Sequence, residues 1–283
     1  MARELSPQHL QMYKPGGKLH LFFKRITIDP ELSFEIRIND EVMVYYNKKK
    51  ILTIKKGKKI VPLDPSFYLP GKGPSVDISN QDNWRRQTEI DKYLKEAILF
   101  AYMKEMKREF QLQQNYSLGN QDANERFLVI DMEWQFAQSE IAKEERIKKT
   151  RIDLVVVDLQ PNSNGENDIY LTEVKLGTKA LKGPSGLQGH VNSTHAIVNS
   201  GFACKALVED VKSILVQKHE LGLITGDLPE LKYASKPKMM FILGHRGQAE
   251  KEQLEAAMSK LSIPAGLDNP VVIYSNTLKP IEL

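Results

Sequence analysis

The chain has 283 residues, 41% hydrophobic and 27% charged, with a net charge of +4, which suits one large globular domain or a small domain beside a medium one. No stretch reaches the roughly 18 uninterrupted apolar residues that a membrane helix needs, and the opening MARELSPQHLQMYKPGG lacks the apolar core of a signal peptide. Its single cysteine, Cys204, excludes an internal disulfide framework, so the expectation is a cytoplasmic protein with no membrane partner and no structural zinc.

Residues 18–63 read as a small antiparallel meander. LHLFFKRITI, FEIRI, EVMVYYN, KILTIKK and KKIVPL are short, rich in β-branched and aromatic residues, and separated by turn formers. From Asn47 to Ile60 the chain carries seven lysines and no acid. Such a block suits a polyanion partner, and equally a solvated hairpin whose lysines block edge-to-edge pairing. Residues 64–83 gather Pro, Gly, Ser, Asp and Asn and read as a linker, which places a domain boundary near residue 76.

A long helix is expected from Asp82 or Asn83 to about Gln113, since Ile90, Leu94, Ala97, Ile98, Ala101 and Tyr102 recur at helical spacing. Strands follow at 126–136, 151–159 and 168–176. A glycine-rich loop, GTKALKGPSGLQG, leads into a helix over 187–221, then a strand at 239–244, a helix at 248–261 and a strand at 271–276. Apolar strands with helices between them imply a mixed central sheet covered on both faces.

The stretch DIYLTEVKLG places Glu173 and Lys175 on one face of an apolar strand. Burying either charge alone costs several kcal/mol, so they pair with each other or with a helix, or they border a cation site. Asp153 opens the preceding strand, and in an antiparallel pair it lies near the end of the next, beside Glu173. Two carboxylates meeting there repel unless a divalent cation sits between them, and so few hard oxygen ligands favour Mg²⁺ over zinc. Glu-x-Lys occurs three times, at 105–107, 173–175 and 230–232. Only the middle one sits on a strand that follows an Asp-bearing strand across a turn.

Asp153 followed by Glu173-Val-Lys175, after a long helix and before another helix and strand, resembles the PD-(D/E)XK nuclease superfamily. Ile152 stands where that family often has proline. The resemblance implies an αβββαβ restriction-endonuclease-like core over residues 76–283, behind a β-rich N-terminal domain over 1–75. It implies Asp153 and Glu173 as ligands of Mg²⁺ or Mn²⁺, Lys175 as the motif lysine, and cleavage of phosphodiester bonds, in DNA by default. The family often adds an acid from the first helix, for which Glu89 is the candidate and Glu96 its rival.

Asp131 and Glu133 share a strand face; they extend the metal site, Glu133 the better of the two, or bind a basic neighbour such as Arg151. Lys179 and Lys182 in the glycine-rich loop suit phosphate contacts, though solubility explains them as well. Gln188 and His190, opening the next helix, are further candidates for contacting nucleic acid, and His195 a weaker one. Cutting both strands would favour a homodimer. There is no Gly-x-Ser-x-Gly elbow and no Gly-x-Gly-x-x-Gly after a strand, and Cys204 reads as core. The alternative is a non-catalytic nucleic-acid- or partner-binding module on the same fold, or a regulatory protein in which Glu173 and Lys175 form only a structural bridge.

Overall fold

The computed structural model describes residues 3–70, 72–104, 108–135, 151–181 and 186–276. The chain divides into two compact units, Met1–Gln114 with Ser213–Ile224, and Asn115–Lys212 with Thr225–Leu283. Each is built on a sheet: a four-stranded antiparallel one and a five-stranded mixed one.

In the first unit, helices α1 (Pro7–Gln11) and α2 (His20–Thr27) precede strands β1 (Leu32–Arg37), β2 (Glu41–Tyr46), β3 (Lys49–Lys55) and β4 (Lys59–Val61), ordered β1-β2-β3-β4. The segment LHLFFKRITI, expected as a strand, is instead largely α2. Leu19, Phe22, Phe23 and Ile26 are its buried residues, and their i, i+3, i+4, i+7 spacing is that of a helix face, which overrides the β propensity of phenylalanine and isoleucine. The sheet sorts its residues by register: Ile36, Val42, Ile54 and Ile60 form one cross-strand apolar row, while Glu35, Met43, Thr53 and Val61 share the opposite face.

Helix α3 (Gln87–Lys104) belongs to this unit as well, so the boundary expected near residue 76 falls inside it. Tyr93, fully buried on α3, explains the attachment. Its hydroxyl donates to the Ile51 carbonyl at 2.9 Å and accepts from the Leu63 amide at 2.9 Å, fastening the helix to the β-rich part. The helix expected to run to about residue 113 appears as α3 and α4 (Arg108–Gly119), with 105–107 outside the described residues.

The second unit carries β5 (Phe127–Gln135), β6 (Arg151–Asp158), β7 (Ile169–Leu176), β8 (Lys238–His245) and β9 (Val271–Asn276) in that spatial order. The first three pair antiparallel, and β8 and β9 add in parallel. Near-continuous burial along β6, β7 and β8 is what a sheet covered on both faces requires.

The helix expected over 187–221 is two, α5 (Leu187–Val198) and α6 (Gly201–Glu220). Ser200 interrupts it: its hydroxyl accepts the Ala203 amide at 3.0 Å, an N-cap that starts a new helix. Leu187, Val191 and Val198 of α5 join Met239, Phe241 and Leu243 of β8 and Leu254 of α7 (Gln248–Met258) in one core cluster. That packing brings α5 over the face that carries Glu173, since Glu173 pairs with Phe241 in register.

Candidate active site

The β6–β7 ladder runs from Val157–Ile169 to Leu154–Thr172. One step further along the same register, Asp153 faces Glu173, so both side chains leave the same face. At that step the ladder stops, and Asp153 Oδ2 accepts the Val174 amide at 3.0 Å in place of a backbone carbonyl. A side chain thus closes the strand pair, and the two strands carry their acids to one spot.

Lys175, two residues on, points to the same place. Its Nζ lies 3.9 Å from Asp153 Oδ2 and 3.8 Å from Glu173 Oε2. From α5, His190 sets Nδ1 3.0 Å from the same Glu173 oxygen. Glu173 is 1% exposed, Asp153 6% and Lys175 7%, so the group is screened little by water. Glu173 Oε1 is buried with no hydrogen-bond partner among the described residues. Burial, then the nearby Asp153 carboxylate, push the Glu173 pKa up to about 7, against the opposing pull of His190 and Lys175. This carboxylate is under-compensated by its own surroundings.

Glu133 falls between the pairs Met132–Leu154 and Trp134–Ile152, hence across from Asp153. It is buried, its φ is +62°, and its Oε2 lies 2.7 Å from Arg151 Nε. A left-handed glutamate within a strand costs on the order of 1–3 kcal/mol, and such residues cluster at functional sites. Asp131, also buried, pairs with Val155 beyond a β-bulge.

The remaining sequence candidates scatter. Glu89 lies in the first turn of α3, in the first unit. So does Glu96, whose oxygens accept from the Ser75 amide at 2.6 Å and its hydroxyl at 2.7 Å, which gives it a local structural task. Lys179 sits in a short 3₁₀ turn, Thr178–Leu181, and Lys182 lies outside the described residues. The Gln188 amide holds both backbone groups of Ser262, at 2.9 and 3.0 Å. His195 bonds the Ala265 carbonyl at 3.0 Å.

His190 therefore touches an acid, a role that charge and loop composition did not indicate. The signal was in the spacing: His190 follows Leu187 by three and precedes Val191 and Thr194 by one and four, on the stripe of α5 that turns to the sheet. Among the described residues no group of three or more His, Cys, Asp and Glu side chains could hold a metal ion, so the donor set is the two facing carboxylates. These are hard oxygens, one without a hydrogen bond, and that chemistry fits a divalent cation that keeps several waters, as Mg²⁺ does.

No family model matches the chain, and no curated protein or solved structure matches it.

Proposed function

We propose that the second unit is a metal-dependent nuclease centre of the PD-(D/E)XK type, a phosphodiesterase acting on nucleic acid, with DNA as the default substrate. The observation that carries it is the convergence of Asp153 and Glu173 from facing register positions, with the Lys175 ammonium within 4 Å of both. The order α4, β5, β6, β7, α5, α6, β8, with β8 parallel to β7, is compatible with a restriction-endonuclease-like core that carries one additional helix before β8.

Asp153 and Glu173 would hold Mg²⁺ or Mn²⁺, which supplies Lewis-acid stabilisation of charge on the phosphoryl oxygens. Lys175, set between the two acids, donates toward the attacking water and the developing negative charge. The Val174 amide fixes the Asp153 carboxylate, so that acid need not reorganise as a phosphate arrives, and His190 Nδ1 stands 3.0 Å from Oε2 of Glu173.

The test is Mg²⁺-dependent cleavage of plasmid, linear and single-stranded DNA. Asp153→Ala and Lys175→Ala should each lower the rate by about 100-fold or more; unchanged cleavage by either variant would refute these roles. The alternative, a non-catalytic nucleic-acid- or partner-binding module, is favoured by one observation: Lys175 and His190 already reach Glu173. It predicts salt-sensitive binding that survives both metal removal and Glu173→Ala.

A further inference from the structure

We infer that the tip of the β3–β4 hairpin in the first unit is a docking surface for the phosphate backbone of nucleic acid. This rests on the nuclease reading for the identity of the polyanion, and on local geometry for the surface itself.

Six of the seven lysines between Asn47 and Ile60 divide into two kinds. Lys48 lies over the Phe110 ring at 5.0 Å, Lys49 donates to the Ala101 carbonyl at 2.5 Å, and Lys55 pairs with Glu41 at 3.2 Å. Lys56, Lys58 and Lys59 are exposed, and among the described residues no acid forms an ion pair with them. Lys59 stands directly across the ladder from Lys55, a like-charge pairing that a sheet ordinarily avoids because it destabilises.

The turn itself carries a second local cost. It is closed by the Lys58 amide donating to the Lys55 carbonyl at 2.9 Å, with Lys56 at φ +47° and Gly57 at φ +61°. Asn or Asp is the preferred residue at the first left-handed position of such a turn, and the β2–β3 turn uses Asn47 there, at φ +46°. Lysine at 56 gives up that preference to place a cation at the very end of the hairpin.

The basic surface continues beyond the hairpin. The Gln81 side chain donates to the Lys58 carbonyl at 3.1 Å, and Gln81 lines a cavity of about 260 Å³ with Lys18, Asp82, Trp84 and Arg85. Lys18 and Arg85 are exposed. The apolar neighbours of the tip, Ile54 and Ile60, are fully buried, so nothing greasy projects there to enter a lipid layer. Exposed point charges at the turn suit phosphates along a duplex.

The test uses the full-length protein and a short fluorescent DNA duplex, with anisotropy read across salt from roughly 50 to 200 mM. The triple variant Lys56→Gln/Lys58→Gln/Lys59→Gln should bind about tenfold more weakly at low salt and flatten the slope of log K against log salt by about 2 to 3. Removing equal charge from the second unit, by Lys205→Gln/Lys236→Gln/Lys260→Gln, should leave both nearly unchanged. Equal losses in the two triple variants, or none in the first, would overturn the surface, as would binding of the native protein to phosphatidylserine vesicles but not to duplex. Asp153→Ala, run alongside, separates the two readings. If it cleaves normally while the hairpin variant still loses binding, the nuclease reading fails and the surface stands; the opposite pattern removes the surface alone.

Discussion

Both units bury a glutamate with a lysine on the face of a sheet, and they do so in opposite ways. In the first unit Lys218 Nζ sits 2.7 Å from Glu35 Oε2, with both residues nearly inaccessible, at 2% and 1%. In the second, Lys175 stays 3.8 Å from Glu173 and is shared with Asp153 at 3.9 Å. The first is a direct buried contact at hydrogen-bond distance. The second sets one lysine and a histidine among two facing acids and, among the described residues, leaves an acidic oxygen without a hydrogen bond. The contrast separates a bond that holds the fold together from a cluster with capacity left for a ligand.

The largest effect should fall on the Glu35–Lys218 pair. Lys218→Ala takes the cation at 2.7 Å away from the buried Glu35, and should cost about 3–5 kcal/mol in urea unfolding, whereas replacing both partners, as Glu35→Leu with Lys218→Met, should recover most of it. Lys175→Ala should cost less than half as much, because Glu173 can take up a proton instead. Equal losses from Lys218→Ala and Lys175→Ala would erase the distinction.

Next in size is the pH dependence of the open cluster. The folded protein holds the Glu173 proton up to about pH 7, whereas an ordinary glutamate releases it near 4.5. Between those values the folded state binds more protons than the unfolded chain, so stability falls as pH rises through that window, by on the order of 3 kcal/mol in all. Asp153, Lys175 and His190 face this carboxylate and set its pKa together. Glu173→Gln should remove the slope and be more stable than the native protein at pH 8. Millimolar Mg²⁺ should raise the melting temperature of the native protein at pH 8 and not that of Glu173→Gln. A native protein with flat stability from pH 5 to 8 would mean that Glu173 is fully compensated without a ligand.

These differences also mark what the sequence could convey. The apolar strands of the second unit and the placing of Asp153 near Glu173 were legible, because side chains alternate faces and a turn joins the two strands. The phase of α2 was legible too, in Leu19, Phe22, Phe23 and Ile26, but aromatic β propensity masked it. Three things lay in tertiary packing alone. One is the partner of Glu35, which comes from a helix 183 residues further on. Another is the attachment of α3 to the first sheet through Tyr93. The third is the left-handed Glu133 beside the site. Local pattern specifies a residue's face, not which distant element will cover it.

The smallest prediction concerns a second acid of the first unit, Asp40, held by hydrogen bonds and not by a lysine. Asp40 accepts the Ser6 amide at 2.9 Å, the Ser6 hydroxyl at 2.8 Å and His9 Nδ1 at 2.9 Å, while His9 Nε2 meets the Tyr13 hydroxyl at 2.7 Å. Burial pushes the Asp40 pKa up, but the Ser6 and His9 hydrogen bonds outweigh it and hold the carboxyl below its usual value. Its sign is thus opposite to that of Glu173: Asp40 contributes stability above its unfolded pKa and loses it as pH falls through the folded one. Ser6→Ala removes one donor to Asp40 and the side-chain cap on the His9 amide. It should cost about 1 kcal/mol at neutral pH and move the onset of acid unfolding to higher pH. Glu173→Gln should leave that onset unmoved, since in strong acid the native glutamate is protonated in both states. If Ser6→Ala unfolds in acid along the native curve, Asp40 is not held by Ser6.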